Sequence, residues 1–171
     1  SMEVTYRLSG NCSLTLITKV INEDNKNMPL CDGWHPYFKL NSKVDELMVQ
    51  FNSNALLEFD NRLLPTGKSL PDNRFEKPVL LGNTFLDNSF IVKNFDEPAC
   101  ILTNAAEGLQ LSITPGENYP ILQVYTPPHR NSIAVENLSS PPDAFNNGMN
   151  LISLQPGESK IFNTTYQIKT L

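Results

Sequence analysis

Apolar and polar residues alternate with a period of two along most of this 171-residue chain. Val4, Tyr6 and Leu8 alternate with Thr5 and Arg7, and Leu47, Val49 and Phe51 repeat the pattern. So do Leu109, Leu111 and Ile113, and finally Phe162, Thr164, Tyr166 and Ile168. Such a period puts successive side chains on opposite faces, which suits half-buried strands and not helices. Turn residues punctuate the runs. Ser9-Gly10-Asn11 leads into Cys12, Leu14 and Leu16, and Asn22 to Asn27 reads as a polar hairpin loop. Thirteen prolines against eight glycines point to rigid turns. The helix signal is confined to Pro142–Asn146, one turn that Gly148 would end. The expectation is an all-β chain, an antiparallel β-sandwich forming a single domain over residues 1–171.

The chain is 40% hydrophobic and 18% charged, too apolar for disorder. Its net charge of −5 and scattered Lys and Arg residues argue against nucleic acid and anionic membrane as partners. No apolar run approaches the roughly 18 residues of a spanning helix. Cys12, Cys31 and Cys100 are too far apart for a Cys-x-x-Cys metal pair and too few for a disulfide framework. Each is expected to be a small buried hydrophobe. The opening Ser1-Met2-Glu3-Val4 lacks the basic and apolar regions of a signal peptide, so a reducing, cytoplasmic setting is the expectation.

Chemistry concentrates in two segments. In Gly33-Trp34-His35-Pro36-Tyr37-Phe38, one of only two histidines sits among aromatic residues. Imidazole titrates near neutrality, at about 6.5 when unperturbed, and so donates or accepts protons at working pH. Trp34 and its neighbours offer flat faces that stack on sugar rings. Pro36 biases His35 toward extended backbone. The bland alternative is a core histidine held by a backbone carbonyl. In the second segment, Ile133 and Val135 share an apolar face while Glu136 lies opposite with Ala134, at a strand end opening into Asn137–Asp143. Upstream, Leu122 and Val124 point one way, Gln123 and Tyr125 the other. Glu136 as general base and His35 as general acid across one face would suit work on a polyol. Otherwise Glu136 is an exposed edge residue, Asp87 a turn cap, Gln123 a cross-strand hydrogen-bonder and Tyr125 an amphipathic core residue.

Gly33-Trp34-His35-Pro36-Tyr37-Phe38-Lys39-Leu40 resembles the His-Pro-Tyr-Phe-x-Leu signature of the aldose 1-epimerases, or galactose mutarotases. Leu64-Pro65-Thr66-Gly67, Leu86-Asp87-Asn88-Ser89-Phe90 and Gln123-Val124-Tyr125-Thr126 resemble later segments of that family, in its order. So do Val135-Glu136 through Pro142-Asp143-Ala144-Phe145-Asn146, and Leu154-Gln155-Pro156-Gly157-Glu158. The resemblance implies that Glu136 takes the proton of the anomeric hydroxyl and His35 protonates the ring oxygen. It implies that Asp87 and Gln123 hydrogen-bond sugar hydroxyls, with Tyr125 and Trp34 completing the substrate contacts. It implies no metal and no cofactor. His129 matches no family motif and reads as a loop residue.

Members of that family are longer. Their N-terminal half supplies another histidine and an arginine that grips the sugar, so this chain resembles the C-terminal half. Self-association, or a missing N-terminal half, is therefore an expected partner beside a free hexose. A phosphorylated hexose ranks lower, because Arg62, Arg74 and Arg130 are scattered. The rival classes are a non-catalytic carbohydrate-binding sandwich and a structural sandwich that binds no sugar.

Overall fold

The computed structural model describes residues 1–171. The strands, in chain order, are β1 (Met2–Ser9), β2 (Ser13–Ile21), β3 (Met28–Leu30), β4 (Gly33–Trp34), β5 (Tyr37–Phe38), β6 (Met48–Phe51), β7 (Ala55–Phe59) and β8 (Pro65–Pro71). There follow β9 (Val79–Leu80), β10 (Asp87–Ile91), β11 (Cys100–Asn104), β12 (Leu109–Pro115), β13 (Ile121–Tyr125), β14 (Ile133–Leu138), β15 (Ile152–Leu154) and β16 (Ser159–Thr170). A single helical turn, α1 (Ala144–Asn147), ends at Gly148, whose φ of 74° only glycine adopts cheaply. No helix is long and apolar enough to cross a membrane.

Two antiparallel sheets make a β-sandwich. The first runs β1-β2-β16-β12-β11-β6-β9 and the second β4-β14-β13-β10-β7-β8, with β5 also pairing β14. A small β15–β3 pair stands apart. The core between the sheets is what the alternation implied: Leu47, just before β6, and Val49 and Phe51 from β6 meet Phe90, Leu122, Val124, Ile133 and Val135 from the second sheet. Their partners on the alternate positions are the chemistry-bearing side chains. A smaller cluster joins Val20, Tyr119, Leu154 and Phe162. There the Tyr119 hydroxyl donates to the Asp32 carboxylate, and burial raises the pKa of Asp32 above the usual carboxylate value.

The structure corrects two local expectations. Asn22–Asn27 does not close a hairpin: β2 pairs with β1 and β16, and the short β3 pairs with β15 instead. Asn22 is buried, and its amide donates to the Lys26 and Leu154 carbonyls, tying the loop to the β15 end of the sandwich. Cys12 is exposed at the tip of the β1–β2 turn, where its φ is 55°, while Cys31 is half-buried and Cys100 buried.

The sheets do not cover each other fully. Beyond the β4/β5 edge of the second sheet, the facing parts of β1, β2, β12 and β16 are left open. They line an apolar groove of about 860 Å³, walled by Tyr6, Leu8, Leu14, Leu16, Tyr166 and Ile168. The clean alternation at the C-terminus thus ends on an open face, with Ile168 exposed.

Candidate functional site

Strand register assembles the site. Trp34 faces Asn137 and Tyr37 faces Ala134, so the pairing of β4 and β5 with β14 keeps one register through the intervening His35-Pro36. His35 therefore falls opposite Glu136. Gly33 permits the close approach, since a Cβ there would lie 2.5 Å from Leu138 Cδ2. Pro36 has no N–H to give the ladder, but its carbonyl accepts from the Val135 amide at 3.3 Å.

The same row continues. Glu136 pairs with Gln123 on β13, and Gln123 with Ser89 on β10. One step along the strands, a parallel row runs Tyr37, Ala134, Tyr125, Asp87. Residues two apart on a strand share a face, so both rows form one platform on the side of the second sheet away from the core. Ala134, the smallest side chain of the set, leaves its middle low.

Contacts fix this platform. His35 Nε2 lies 3.2 Å from Glu136 Oε1. The His35 ring stacks on Tyr37 at 5.0 Å between centroids. Ser89 is buried, and its hydroxyl donates to Gln123 Oε1 at 2.5 Å. With that oxygen occupied, the Gln123 amide donates to Asp87 Oδ1 at 2.9 Å. Tyr125 meets the exposed Phe85 edge-on at 6.2 Å, which forms a lip on the Asp87 side.

The carboxyl of Glu136 is pushed above its ordinary value. Burial is the main cause; the His35 imidazole pulls it partly back, and the nearby Asp87 charge raises it. A carboxyl with a raised pKa beside an imidazole is a pair that can hold and pass one proton.

The fold thus brings Glu136, His35, Asp87, Gln123 and Tyr125 together. It does not bring Trp34 to them. Strand alternation turns Trp34 to the other face from His35, where it packs against the Val20–Phe162 cluster and its Nε1–H donates to Thr18 Oγ1 at 3.2 Å. His129 lies in an exposed loop, and its Nδ1 accepts from the Asn131 amide. Tyr37, whose ring the sequence marked as a stacking face, and Ala134, which shares the face of Glu136, join the platform, as do Ser89 and Phe85, which the sequence reading did not single out. Ser89 carried a signal, lying two residues from Asp87 on the same strand. The three arginines considered for a phosphate grip are engaged locally: Arg62 with Asp60, Arg74 with Asp72, Arg130 with Asp45. No group of three or more His, Cys, Asp or Glu side chains gathers in a way that would hold a metal ion.

Several known proteins are similar to this chain. An uncharacterised Escherichia coli K12 protein, YihR, is 28% identical over 162 residues, a match covering 91% of this chain and 52% of YihR. A galactose mutarotase-like protein from Clostridium acetobutylicum superimposes with a TM-score of 0.86 at 20% identity, over 98% of this chain and 55% of that one. A galactose 1-epimerase from Lactobacillus acidophilus gives 0.83 at 20% identity, over 99% of this chain and 57% of the other. These two structural likenesses are likenesses of fold. The chain spans about half the length of the relatives it matches. The family model for aldose 1-epimerases matches residues 1–167, and by that match the chain belongs to the aldose 1-epimerase family.

Proposed function

We propose that the platform carries acid–base interconversion of the α and β anomers of a free hexose. The observation that supports this reading most directly is the His35–Glu136 contact of 3.2 Å, set by register beside Gln123 and Asp87. In the starting state Glu136 is ionised and His35 protonated. Glu136 takes the proton of the C1 hydroxyl, whose oxygen electrons form the C1=O bond. The C1–O5 bond breaks, and O5 takes the proton from His35. The open aldehyde turns about C1–C2, and O5 adds to the other face of C1. On closure O5 returns its proton to His35 and the new C1 oxygen recovers one from Glu136, so both groups end as they began. Asp87 and Gln123 hold hydroxyls by hydrogen bonds, and Tyr37 and Tyr125 flank the ring.

Polarimetry of freshly dissolved α-glucose or α-galactose tests the reading. The chain is expected to speed the approach to anomeric equilibrium over buffer alone. Sugar binding without any acceleration would favour the non-catalytic carbohydrate-binding alternative, and neither binding nor acceleration would remove both.

The sign of the Glu136 shift gives a second expected result. The base must be ionised, so activity falls as pH drops through its pKa. Because that pKa is raised above 4.5, the acidic limb of kcat/KM lies above the ordinary glutamate range. Asp87→Asn, which removes a raising charge, moves the limb to lower pH. His35→Asn, which removes the lowering one, moves residual activity to higher pH. A limb at or below 4.5 in the unaltered protein, or unmoved by both changes, would remove Glu136 as the base.

A further inference from the structure

Two hydrogen bonds of the platform run in one direction. Ser89, on β10, donates to Gln123 Oε1, and Gln123, on β13, donates back across the strands to Asp87 Oδ1. A side-chain amide has two ends of nearly equal shape and opposite chemistry, and the torsion that interchanges them is soft. Its neighbours decide which end goes where. A carboxylate only accepts, so Asp87 draws the NH2 end; turned about, the Gln123 carbonyl would face the Asp87 oxygens. The carbonyl is thereby left pointing at Ser89, and only a donor satisfies it there.

Burial makes that donor hard to replace. Ser89 is fully buried although it lies on the face of the sheet away from the core, directly opposite Gln123 in the β10–β13 register. Its hydroxyl bonds to Gln123 alone. Shielded from solvent, it cannot touch a sugar lying on the platform, and solvent cannot stand in for it. Each donation also polarises the next, so the two bonds in series hold better than either would alone.

We infer that Ser89 is a positioning residue of the sugar-binding corner: it clamps the Gln123 amide by its carbonyl, so that one N–H is committed to Asp87 and the other faces substrate. Asp87 Oδ2 has no partner within the chain and stands beside that second N–H. The corner therefore offers one donor and one acceptor side by side, and a substrate hydroxyl, which both accepts and donates, satisfies the two together. Without the clamp the Gln123 carbonyl is unpartnered and turns outward to find a donor, taking the N–H away from the corner. The effect on turnover rests on the acid–base reading of the platform; the clamp itself does not.

Nuclear magnetic resonance reads the clamp without any sugar. The Gln123 side-chain amide, identified by the resonance pair that disappears in Gln123→Ala, is expected to be rigid on the ps–ns timescale in the unaltered protein and mobile in Ser89→Ala. An amide that is mobile from the start, or equally rigid without the hydroxyl, overturns the inference whatever the chain does to sugars. Polarimetry reads the consequence. Ser89→Ala is expected to raise KM for glucose or galactose about three- to tenfold, the scale of one hydrogen bond, with a smaller change in kcat because His35 and Glu136 keep their contact. Ser89→Cys, close in shape and a weaker donor, falls between. In a Gln123→Ala background Ser89→Ala adds no further loss. A loss of the same size in both backgrounds would show that the hydroxyl serves the fold and not the amide, and overturns the inference. An unaltered chain that leaves anomer exchange at the buffer rate removes the acid–base reading, and the clamp is then decided by the resonance measurement alone.

Discussion

Glu136→Gln is expected to slow anomer interconversion by about 10²–10⁴-fold, the usual scale for losing a general acid or base. The change is close to isosteric. It keeps a hydrogen-bonding group opposite Gln123 while removing the charge that the proposed mechanism uses to accept the C1 hydroxyl proton. His35→Asn should cost a similar factor, since in the proposed reaction the acid and base act on the two oxygens of one acetal carbon. Because the pair touches at 3.2 Å, the proposed mechanism makes it a unit, and the double variant should be little slower than the worse single one. Polarimetry reads all three rates. Multiplying losses in the double variant would show two independent groups, and an unaffected Glu136→Gln protein would place the chemistry elsewhere. Far-UV spectra of the variants separate a lost proton acceptor from a lost fold.

The parts of this site that could be read from the sequence are those governed by local alternation. Ile133 and Val135 are buried and Glu136 shares a face with Ala134, because a strand has a period of two whatever lies beside it. The same rule paired Gln123 with Tyr125. What alternation cannot specify is which strands become neighbours. His35 meets Glu136 only because β4 and β5 bind β14 across a long stretch of sequence, and each is just two residues long. Trp34 shows the limit in one residue. Its chemistry suits a sugar ring, but its position next to His35 on an extended segment commits it to the opposite face. The Asn22–Asn27 loop is similar: its composition marks a turn, yet not the strand to which the chain returns. Cys12 lies exposed for a related reason. Its apolar character pointed inward, while the tight turn required a left-handed residue at the exposed tip. Ile168 keeps the alternation and still lies open, since burial needs a facing layer that the alternation does not provide.

The platform also depends on what lies beneath it, and Phe90 is the side chain where that dependence is largest. It is 1% exposed and follows Ser89 on β10, so it points into the core while Ser89 holds Gln123 on the face above. Its ring centroid lies 4.9 Å from that of Phe51, on the opposing sheet, and 6.0 Å from that of Phe75 in a T-shaped contact. Phe51 and Phe75 are themselves 4.8 Å apart, so the three rings pin one sheet to the other. Phe90→Ala removes the middle of this contact and leaves a void that rigid strands on both sides cannot fill. The expected cost is about 3–5 kcal/mol, a large part of the roughly 5–15 kcal/mol that separates folded from unfolded chains. In a chain of this size that corresponds to a fall in Tm of about 6–20 °C by calorimetry. Phe90→Leu, which keeps most of the volume, should fall less. The loss should reach the site as well, because β10 then holds Ser89 and Asp87 less firmly and Gln123 loses its fixed orientation. A Phe90→Ala protein with an unchanged Tm would mean that the two sheets are held together chiefly elsewhere, and that the platform stands without this support.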